Sequence, residues 1–305
     1  MKMNPTRSRF SPQPARHVKE RVAHSLLFLS AMSAIAITLA VVSILVLESL
    51  SFFREVSLRE FLTDTQWTPL FADPRYGVMP LVGATLVVTS IGLLVAVPLG
   101  TLAAIYLGEF APSRVREIFK PALEMLSSVP SVVYGYFALL LVTPLLQQII
   151  PGLPGFNMLS AGLVIGVSIV PFISSMSEDA MRAVPMDIRE GSYAMGATRL
   201  QTAWYVVFPA ALSGIVAAYI LAMSVALGQT MIVAIAAGQQ ANLTLDPTQP
   251  AATLTAYIAQ VAIGDVAHGT IAYQSIFAVG LVLLLMTLVL NILGHFMRRR
   301  YRESY

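Results

Sequence analysis

The residues best suited to chemistry lie together in one polar stretch, "REGSYAMGATRLQTAWYVVFPAA", which covers residues 189–211. Glu190 is an acid near a predicted helix start, where a carboxylate makes charge-assisted hydrogen bonds to a partner's donors. Gly196 can adopt the positive φ that ends a helix. These residue types do not form a catalytic set, and they raise the question of what so long a polar stretch does between two apolar ones.

No catalytic or metal-binding set accompanies this stretch. The chain has no cysteine, and its four histidines are scattered at positions 17, 24, 268 and 295. None of the three lysines follows a glycine, so the phosphate-cradling loop G-x-x-x-x-G-K-[ST] is missing. The apolar stretches are nearly free of acids, with Glu124 as the main exception, which argues against intramembrane enzymes and proton-coupled transporters. We therefore predict a conduit that another protein drives, with no catalytic residue, cofactor or metal in this chain.

The composition shows what must position these residues. Of the 305 residues, 56% are hydrophobic and 11% are charged, against about 25% charged residues in soluble proteins. Roughly 20 apolar residues cross a bilayer as a helix, and the longest charge-free stretch holds two such helices split by the turn-forming Pro151–Asn157. We predict an all-α integral membrane protein with six transmembrane helices. The charge-free stretches are 22–47, 76–108, 125–177, 200–245 and 266–297.

The distribution of lysine and arginine predicts the orientation. Sixteen of these residues fall in the N-terminal arm, in two alternate loops and in the tail, and three fall in the other loops. Because cytoplasmic segments carry the positive excess, both termini are predicted to be cytoplasmic. The first apolar stretch is far longer than the roughly 7–15-residue apolar region of a signal peptide, and no clear A-x-A cleavage site follows it, so we expect an uncleaved anchor. The net charge of +3 reflects this asymmetry and gives no reason to expect nucleic acid binding.

The predicted organisation follows from these spans. The segments are a cytoplasmic arm (1–24), a first transmembrane helix (25–47), a periplasmic loop (48–76), a core of five transmembrane helices (77–297) with a cytoplasmic loop (178–209), and a basic cytoplasmic tail (298–305).

Two short helices are predicted within the cytoplasmic loop. Pro185 suits a first helical turn, and Asp187 with Glu190 has the spacing of a capping box. Gly196 ends this helix, and Thr198 with Gln201 repeats the capping-box spacing to start the second. The pair predicts a compact helix–turn–helix.

Two interpretations of this helix–turn–helix compete. As an interfacial element, it anchors the loop in lipid headgroups through Trp204 and Tyr205. As a docking element, it lets a partner protein approach closely over its small residues, which are Gly191, Ser192, Ala194, Gly196 and Ala197.

Small polar residues within the predicted spans also have two interpretations. They either let helices pack and hydrogen-bond to each other, or they line a path for a polar solute. Prolines 98, 130, 144 and 171 break backbone hydrogen bonding inside the spans and suit a moving gate. The candidate path residues are Ser127, Ser128, Ser131, Gln229 and Thr230.

The spacing of the polar stretch carries a resemblance. Glu190-Gly191-Ser192, three residues, Gly196, nine residues and then Val206-Val207-Phe208-Pro209 resemble the EAA loop of bacterial ABC importer permeases, E-A-A-x3-G-x9-I-x-L-P. The glutamate, glycine and proline fall at the intervals of that pattern, while the alanines are replaced by Gly and Ser. The resemblance implies contact with an ATPase through Asp187, Glu190, Gly191, Ser192, Gly196, Thr198 and Pro209.

A narrower resemblance covers the chain from about residue 77 to its end. The stretches "VPLGTLAAIYLGEFAP" (97–112), "LEMLSSVPSVVYGYFAL" (123–139) and "TMIVAIAAGQQANLT" (230–244) are similar to the PstC-type permease subunit of phosphate ABC importers. This similarity implies a type-I importer, or MetI-like, transmembrane domain. It also implies a PstA-like second permease, a PstB-like ATPase dimer that binds ATP and magnesium, and a PstS-like periplasmic phosphate-binding protein.

One departure from that family concerns the cargo. Many PstC-type sequences read R-A-x-G-E-T-M in the fifth span, whereas this chain has Val225 and Gln229 at the charged positions. Either that charged pair is structural in the relatives, or the companion permease supplies the cation, or the cargo is another oxyanion such as phosphonate, sulfate or molybdate. A membrane signalling or scaffold subunit is a further alternative. The loop 239–269 is expected to face the binding protein, with a short helix around "AATLTAYIAQ" (251–260).

Overall fold

The computed structural model describes residues 14–300, and it describes the side chains within Lys19–Phe296. Residues 1–13 of the predicted arm and 301–305 of the predicted tail lie outside the described residues. Within this range the chain is helical apart from its loops and an isolated antiparallel bridge between Trp67 and Tyr76. The all-α prediction is confirmed.

Fourteen α-helices occupy the described range, with three π-helical stretches at Tyr106–Phe110, Ala138–Val142 and Ala203–Val207. The α-helices are α1 (Pro14–Phe52), α2 (Leu58–Thr63), α3 (Met79–Ile105), α4 (Ser113–Ser127), α5 (Ser131–Phe137), α6 (Thr143–Ile149), α7 (Met158–Arg182), α8 (Met186–Ala194), α9 (Arg199–Thr202), α10 (Phe208–Ala210), α11 (Leu212–Leu227), α12 (Met231–Ala236), α13 (Leu254–Ile263) and α14 (Ile271–Arg300).

Five helical segments of the described chain are long and apolar enough to cross a bilayer. A sixth span results if Arg199–Ala210 and Leu212–Leu227, which meet at a bend of 70°, are counted as one. The structure therefore matches the predicted six spans only if this bent pair is counted as the fifth span. The five straight segments are Lys19–Phe52, Met79–Phe110, Ser131–Ile149, Met158–Arg182 and Ile271–Phe296.

The centre of the bundle is a tightly packed pair, α3 and α7. Their backbones approach closely because glycines remove the intervening side chains. A Cβ atom at Gly166 would lie 2.8 Å from the carbonyl oxygen of Gly92, and one at Gly162 would lie 2.7 Å from Cβ of Ile91. The central apolar core gathers around this pair and includes residues of α11 and α12.

The first span stands outside this core. α1 packs along α14, where Leu45 reaches the space beside Gly280, and most of its remaining side chains are exposed. An apolar helix with exposed side chains is stable where lipid surrounds it. α1 thus flanks the bundle and leaves its interior to the later helices.

Aromatic side chains form the core at the end of the bundle where α3 and α7 begin. Phe52 contacts Phe61 and Tyr76 edge to face, with ring centroids 5.7 and 5.3 Å apart, and Trp67 contacts Tyr257 at 4.9 Å. We call this end, built from residues 49–78 and 236–275, the aromatic cap. Its helix α13 confirms the short helix predicted around residues 251–260.

A third apolar cluster lies at the other end, where α3 and α7 finish. Buried Ala104 and Met181 from those helices meet Val184, Ala203 and Val207 from the chain that follows α7. The segment between α7 and α11 is therefore packed onto the bundle. We call residues 183–209 the elbow.

Candidate functional site

The elbow has the helix–turn–helix form that its sequence predicts. α8 ends at Ala194, and Gly196 follows with a φ of +85°, which confirms its role as the turn residue. The predicted capping box of α9 is also confirmed. The amide of Gln201 donates to Oγ1 of Thr198 at 3.3 Å, and the Thr198 amide donates to Oε1 of Gln201 at 2.8 Å.

The predicted capping box at the start of α8 is wrong. Pro185 occupies the N-cap position, with extended backbone, and α8 begins at Met186. Asp187 is therefore already inside the first helical turn, so its side chain cannot cap that turn from outside. Asp187 instead places a negative charge at the positive end of the helix, which favours the helix through its dipole.

One face of the elbow is held against the bundle. Thr202, Ala203 and Val207 are fully buried on the cluster that includes Met181. The hydroxyls of Ser192 and Thr202 are 2.9 Å apart and join α8 to α9 by a hydrogen bond. The two short helices therefore form a single packed unit.

The other face of the elbow is open. Asp187, Glu190, Gly191 and Gly196 are exposed, and the side chain of Met195 is 88% exposed. A Cβ atom at either of these glycines would meet no atom of the described chain within 4 Å. The face consequently offers two acids and a nearly bare backbone, as the docking interpretation requires. We call these five residues the outer face.

Exposed aromatic residues occupy the second half of the elbow. Trp204 stacks on Phe208 with ring centroids 5.4 Å apart, and Tyr205 is exposed. Pro209 is exposed in the first turn of α10. None of these aromatic residues is part of the outer face. The elbow can therefore contact lipid headgroups and a docked partner at the same time.

A buried ion pair ties the elbow to the end of α3. Arg189 of α8 is 9% exposed, and its Nη2 donates to Oε1 of Glu109 at 2.9 Å. Its guanidinium also donates to the carbonyl oxygens of Val184 and Met181, at 2.7 and 2.9 Å. Glu109 lies in the π-helical stretch that follows α3. Arg189 therefore joins three segments, namely α8, the end of α7 and the extension of α3.

Sequence reasoning missed this pair. Glu109 and Arg189 are 80 positions apart, so no local pattern relates them. The available signal was a lone acid at the end of an apolar stretch, "AAIYLGEFAP", at a depth where an unpaired charge is costly.

A second charged cluster joins α4 to α7. Glu178 is fully buried, and Nζ of Lys120 bonds to its Oε2 and to Oδ1 of Asp179. Arg116 and Arg182 each place a nitrogen 3.7 Å from the other carboxylate oxygen of Glu178. Desolvation alone would lower the pKa of Lys120, but its hydrogen bonds to Asp179 and Glu178 raise that pKa above its usual value. The amphipathic helix α4, which the sequence did not predict, is fixed by this cluster.

A cavity of about 350 Å³ lies where the junction of α4 and α5 meets α7 and α11. It brings together three of the five candidate path residues, Ser127, Ser131 and Gln229. Ser128 and Thr230 do not line it. Its lining is Ser127, Val129, Ser131, Tyr134, Ser168, Ile169, Phe172, Val225, Gln229 and Ile232.

Most hydroxyls near the cavity are already committed to the backbone. Ser127 and Ser128 both donate to the carbonyl oxygen of Glu124, at 2.7 and 3.3 Å, and Thr230 donates to that of Gly228 at 3.3 Å. The Ser131 hydroxyl and the Gln229 carboxamide have no hydrogen bond to another described residue. These two groups are thus available to a solute.

The cavity wall carries no charged side chain among its lining residues, and Val225 contributes an apolar surface beside Gln229. Glu124 is exposed nearby and accepts a hydrogen bond from Ser175 at 3.2 Å. The cavity can therefore donate neutral hydrogen bonds to an oxyanion but supplies no cation of its own.

Comparison with known sequences gives a consistent result. The profile of the family described as binding-protein-dependent transport system inner membrane component matches residues 96–303. The chain is 36% identical over 272 residues to the "Probable ABC transporter permease protein YqgH" of Bacillus subtilis, covering 88% of both chains. It is 30% identical over 306 residues to the "Phosphate transport system permease protein PstC" of Mesorhizobium japonicum, covering 93% of this chain and 89% of that one.

Comparison with solved structures supports the same fold. A bacterial ABC transporter that imports the acidic polysaccharide alginate superposes with a TM-score of 0.65, 16% identity and coverage of 94% of this chain and 100% of that one. An inward-facing MetNI methionine ABC transporter gives a TM-score of 0.55, 22% identity and coverage of 74% and 95%. The fold is the type-I, MetI-like transmembrane domain of ABC importers.

Proposed function

The chain belongs to the family of binding-protein-dependent transport system inner membrane components, and on that premise we propose that it is a permease subunit of an ATP-driven inorganic phosphate importer. It is a multi-pass permease of the bacterial inner membrane, and the transport of phosphate is the proposed specialisation. Support for phosphate comes from relatives named PstC at about 30% identity over most of the chain. The relative named YqgH carries no substrate in its name.

The proposed assembly contains three other kinds of chain. A PstA-like permease completes the path, a PstB-like ATPase dimer binds and hydrolyses ATP, and a PstS-like periplasmic protein delivers phosphate. In this arrangement both termini and the elbow face the cytoplasm, as the positive-inside rule predicts, and the aromatic cap faces the periplasm.

The observation that carries the proposal is the two-sided elbow. Its inner face is buried on α3 and α7, while Glu190, Gly191 and Gly196 are exposed on its outer face. A rigid element with an open face can pass a partner's movement to the helices behind it. We propose that closure of the ATPase dimer moves the elbow, that Arg189 and Glu109 carry this movement to α3, and that the spans then open toward the periplasm.

Reconstituted transport tests the proposal. The chain, the companion permease, the ATPase and the binding protein are placed in liposomes with ATP inside, and uptake of radiolabelled phosphate is measured with and without each component. We expect uptake only in the complete system, with little competition from excess sulfate, molybdate or a phosphonate. Competition by one of these anions above that by phosphate itself would reassign the cargo. Full uptake without this chain would leave it only a signalling or scaffold role.

Because the lining of the cavity is uncharged, another oxyanion is the second candidate cargo. If a solute passes Gln229, a negative charge there should repel it. We expect Gln229→Glu to reduce phosphate uptake at least tenfold, because about 1.4 kcal/mol of added barrier is already a factor of ten. Val225→Arg together with Gln229→Glu restores the charged pair of the resembling family and should recover most of the uptake. Unchanged uptake in the single variant would remove Gln229 from the path.

A further inference from the structure

A pocket of about 490 Å³ lies where the elbow leaves α7, at the end of the bundle opposite the aromatic cap. Its lining includes Arg182, the last residue of α7, and Met186, the first residue of α8. It also includes Arg199, where the second helical segment of the elbow begins. We call it the elbow pocket. None of the five residues of the outer face lines it, so a ligand in this pocket contacts the bundle and both halves of the elbow without covering the outer face.

The charges around the elbow pocket do not balance. Three arginines line it, Arg182, Arg189 and Arg199, against a single acid, Glu109. Glu109 is paired with Arg189 at 2.9 Å and cancels one of the three positive charges. Three positive charges less one negative charge leave the lining at +2. The excess charge favours an anion as the ligand.

Arg199 carries a charge that the fold leaves unused. Its side chain has no ion pair or hydrogen bond to another described residue, and it lies at the start of the helical segment Arg199–Ala210. A cation there is unfavourable, because the helix dipole is positive at that end. Neither a neighbouring acid nor the stability of the helix therefore accounts for Arg199, whereas a bound anion would.

Arg182 is also weakly engaged. Its Nη1 lies 3.7 Å from Oε1 of Glu178, which is beyond hydrogen-bond distance, and Arg116 lies equally far from the same oxygen. Glu178 is hydrogen-bonded to Lys120 through its other oxygen. The side chain of Arg182 is 47% exposed. It can therefore turn toward a ligand in the elbow pocket without leaving Glu178 unpaired.

The buried wall of the pocket supplies fixed donors. Arg189 is 9% exposed, and three of its five N–H groups donate to Glu109 and to two backbone carbonyl oxygens. The other two N–H groups have no acceptor within the described chain, and neither does the hydroxyl of Tyr193, which also lines the pocket. Guanidinium groups and a hydroxyl around one hollow are suited to the oxygens of a phosphate group.

We propose that the elbow pocket binds a phosphate group from the cytoplasmic side, held between Arg182 and Arg199 with Arg189 behind them. The group belongs either to free inorganic phosphate or to the headgroup of an anionic phospholipid, since both present the same oxygens at the membrane surface. A group that bridges Arg182 and Arg199 ties the elbow to the end of α7 and should slow its movement. Binding does not depend on the cargo, whereas the effect on uptake rests on the proposed function.

The decisive variant removes one charge from the pocket. Arg199→Gln leaves the capping box of Thr198 with Gln201 in place. Arg199→Lys keeps the charge but loses the planar guanidinium. The matched control is Arg114→Gln, because Arg114 is exposed in the first turn of α4 and does not line the pocket. The control changes the net charge of the chain by the same amount.

The first measurement tests free phosphate. Radiolabelled inorganic phosphate is dialysed to equilibrium against the intact complex in phosphatidylcholine nanodiscs without nucleotide. We expect one site whose affinity is weakened roughly tenfold or more by Arg199→Gln, less by Arg199→Lys and not at all by Arg114→Gln. This affinity should fall as salt is raised, because Arg182 and Arg199 are exposed.

The second measurement tests a lipid headgroup. The complex is placed in nanodiscs that contain phosphatidylglycerol, and native mass spectrometry counts the lipids that it retains. A headgroup in the pocket predicts one fewer retained phosphatidylglycerol in Arg199→Gln than in the unmodified complex and in Arg114→Gln. A loss in either measurement supports the site and identifies the source of the phosphate group.

The third measurement tests the effect on transport. Inorganic phosphate inside the reconstituted liposomes, or phosphatidylglycerol in their bilayer, is varied and the initial rate of uptake is followed. We expect the source identified by binding to slow the unmodified complex at least threefold more than Arg199→Gln. Equal slowing of both would overturn the effect on the elbow.

Two binding results would overturn the site itself. The first is equal binding by the unmodified complex and Arg199→Gln in both binding measurements. The second is loss of the ATPase from Arg199→Gln in phosphatidylcholine without phosphate, which would show that Arg199 binds that protein instead. A complex that binds as expected but takes up no phosphate, even without substitutions, would contradict the proposed function and leave the site standing.

Discussion

The two ends of the molecule are held together by different physics. The elbow is fixed to the bundle by the buried ion pair of Arg189 with Glu109, in addition to its apolar contacts with α3 and α7. The aromatic cap is held by ring-to-ring packing, and the one ion pair within it, Arg75 with Asp73, is exposed and 3.8 Å long.

This difference predicts how each end responds to substitution. The cap is stabilised mainly by the removal of apolar ring surface from water, which has no preferred direction. A buried ion pair with several hydrogen bonds has one good geometry, so movement of one member moves the other. The elbow should therefore respond to substitution as a mechanical link, and the cap should respond as a small folded core.

The largest expected effect comes from a charge on the outer face. Gly196→Asp should insert into the membrane normally but lose uptake, because the carboxylate occupies the surface where the partner approaches. Gly152→Asp is the matched control, since Gly152 has a similar φ of +82° at the other end and also meets no atom within 4 Å. Uptake should persist in the control. Equal loss in both variants would show that backbone strain, and not the outer face, is responsible.

The next effect concerns the buried ion pair. Arg189→Met and Glu109→Leu each leave one buried charge without its partner, and each should lower the free energy of unfolding by about 3–5 kcal/mol. The double variant should recover most of this loss, because it removes both charges. Thermal unfolding of the purified complex gives the three values. Additive losses in the double variant would contradict a direct coupling between the two residues.

A smaller effect is expected in the cap. The Tyr257 and Ser275 hydroxyls are 2.6 Å apart, and Ser275 also donates to the Ala272 carbonyl, so Tyr257→Phe should cost only about 1 kcal/mol. Burial raises the pKa of Tyr257. Above about pH 10 the unfolded chain loses this proton first, so the stability of the unmodified protein should fall with pH more steeply than that of the variant. Parallel pH profiles in thermal unfolding would count against this.

The smallest effect belongs to Lys120, because Arg116 and Arg182 stay 3.7 Å from the Glu178 carboxylate when this lysine is replaced. Because its folded-state pKa is raised, its contribution is fully present below about pH 10.4 and is lost as the pH rises through the folded value. Lys120→Gln should therefore differ from the unmodified protein by a constant amount between pH 6 and 9. The difference should shrink in high salt, because the lysine is partly exposed. A difference that grows with salt would contradict the ionic origin.

The sequence predicted the features that depend on local rules. The turn at Gly196 and the capping box of Thr198 with Gln201 are set by residues a few positions apart, and both are confirmed. The spans follow from composition alone. The start of α8 was misplaced because Pro185 takes the cap position, which left Asp187 inside the helix.

The sequence did not predict the contacts between residues that are far apart along the chain. The contact between Glu109 and Arg189 forms only when α3 and the elbow pack together, and the fixing of α4 depends on Glu178 of α7. The path candidates share a small polar side chain, and only the structure separates Ser131 and Gln229, whose side chains have no hydrogen bond to another described residue, from Ser127, which is bonded to the backbone.

The glycine seam between α3 and α7 limits where the molecule can open. Gly166 lies so close to the carbonyl oxygen of Gly92 that not even a Cβ atom fits between the two helices. The contact therefore leaves no room for a lipid tail between α3 and α7. We therefore expect α3 and α7 to move together as one rigid body. Any opening for the solute therefore has to form beside the α3–α7 pair, next to the cavity. A covalent crosslink between α3 and α7 should consequently leave uptake unchanged.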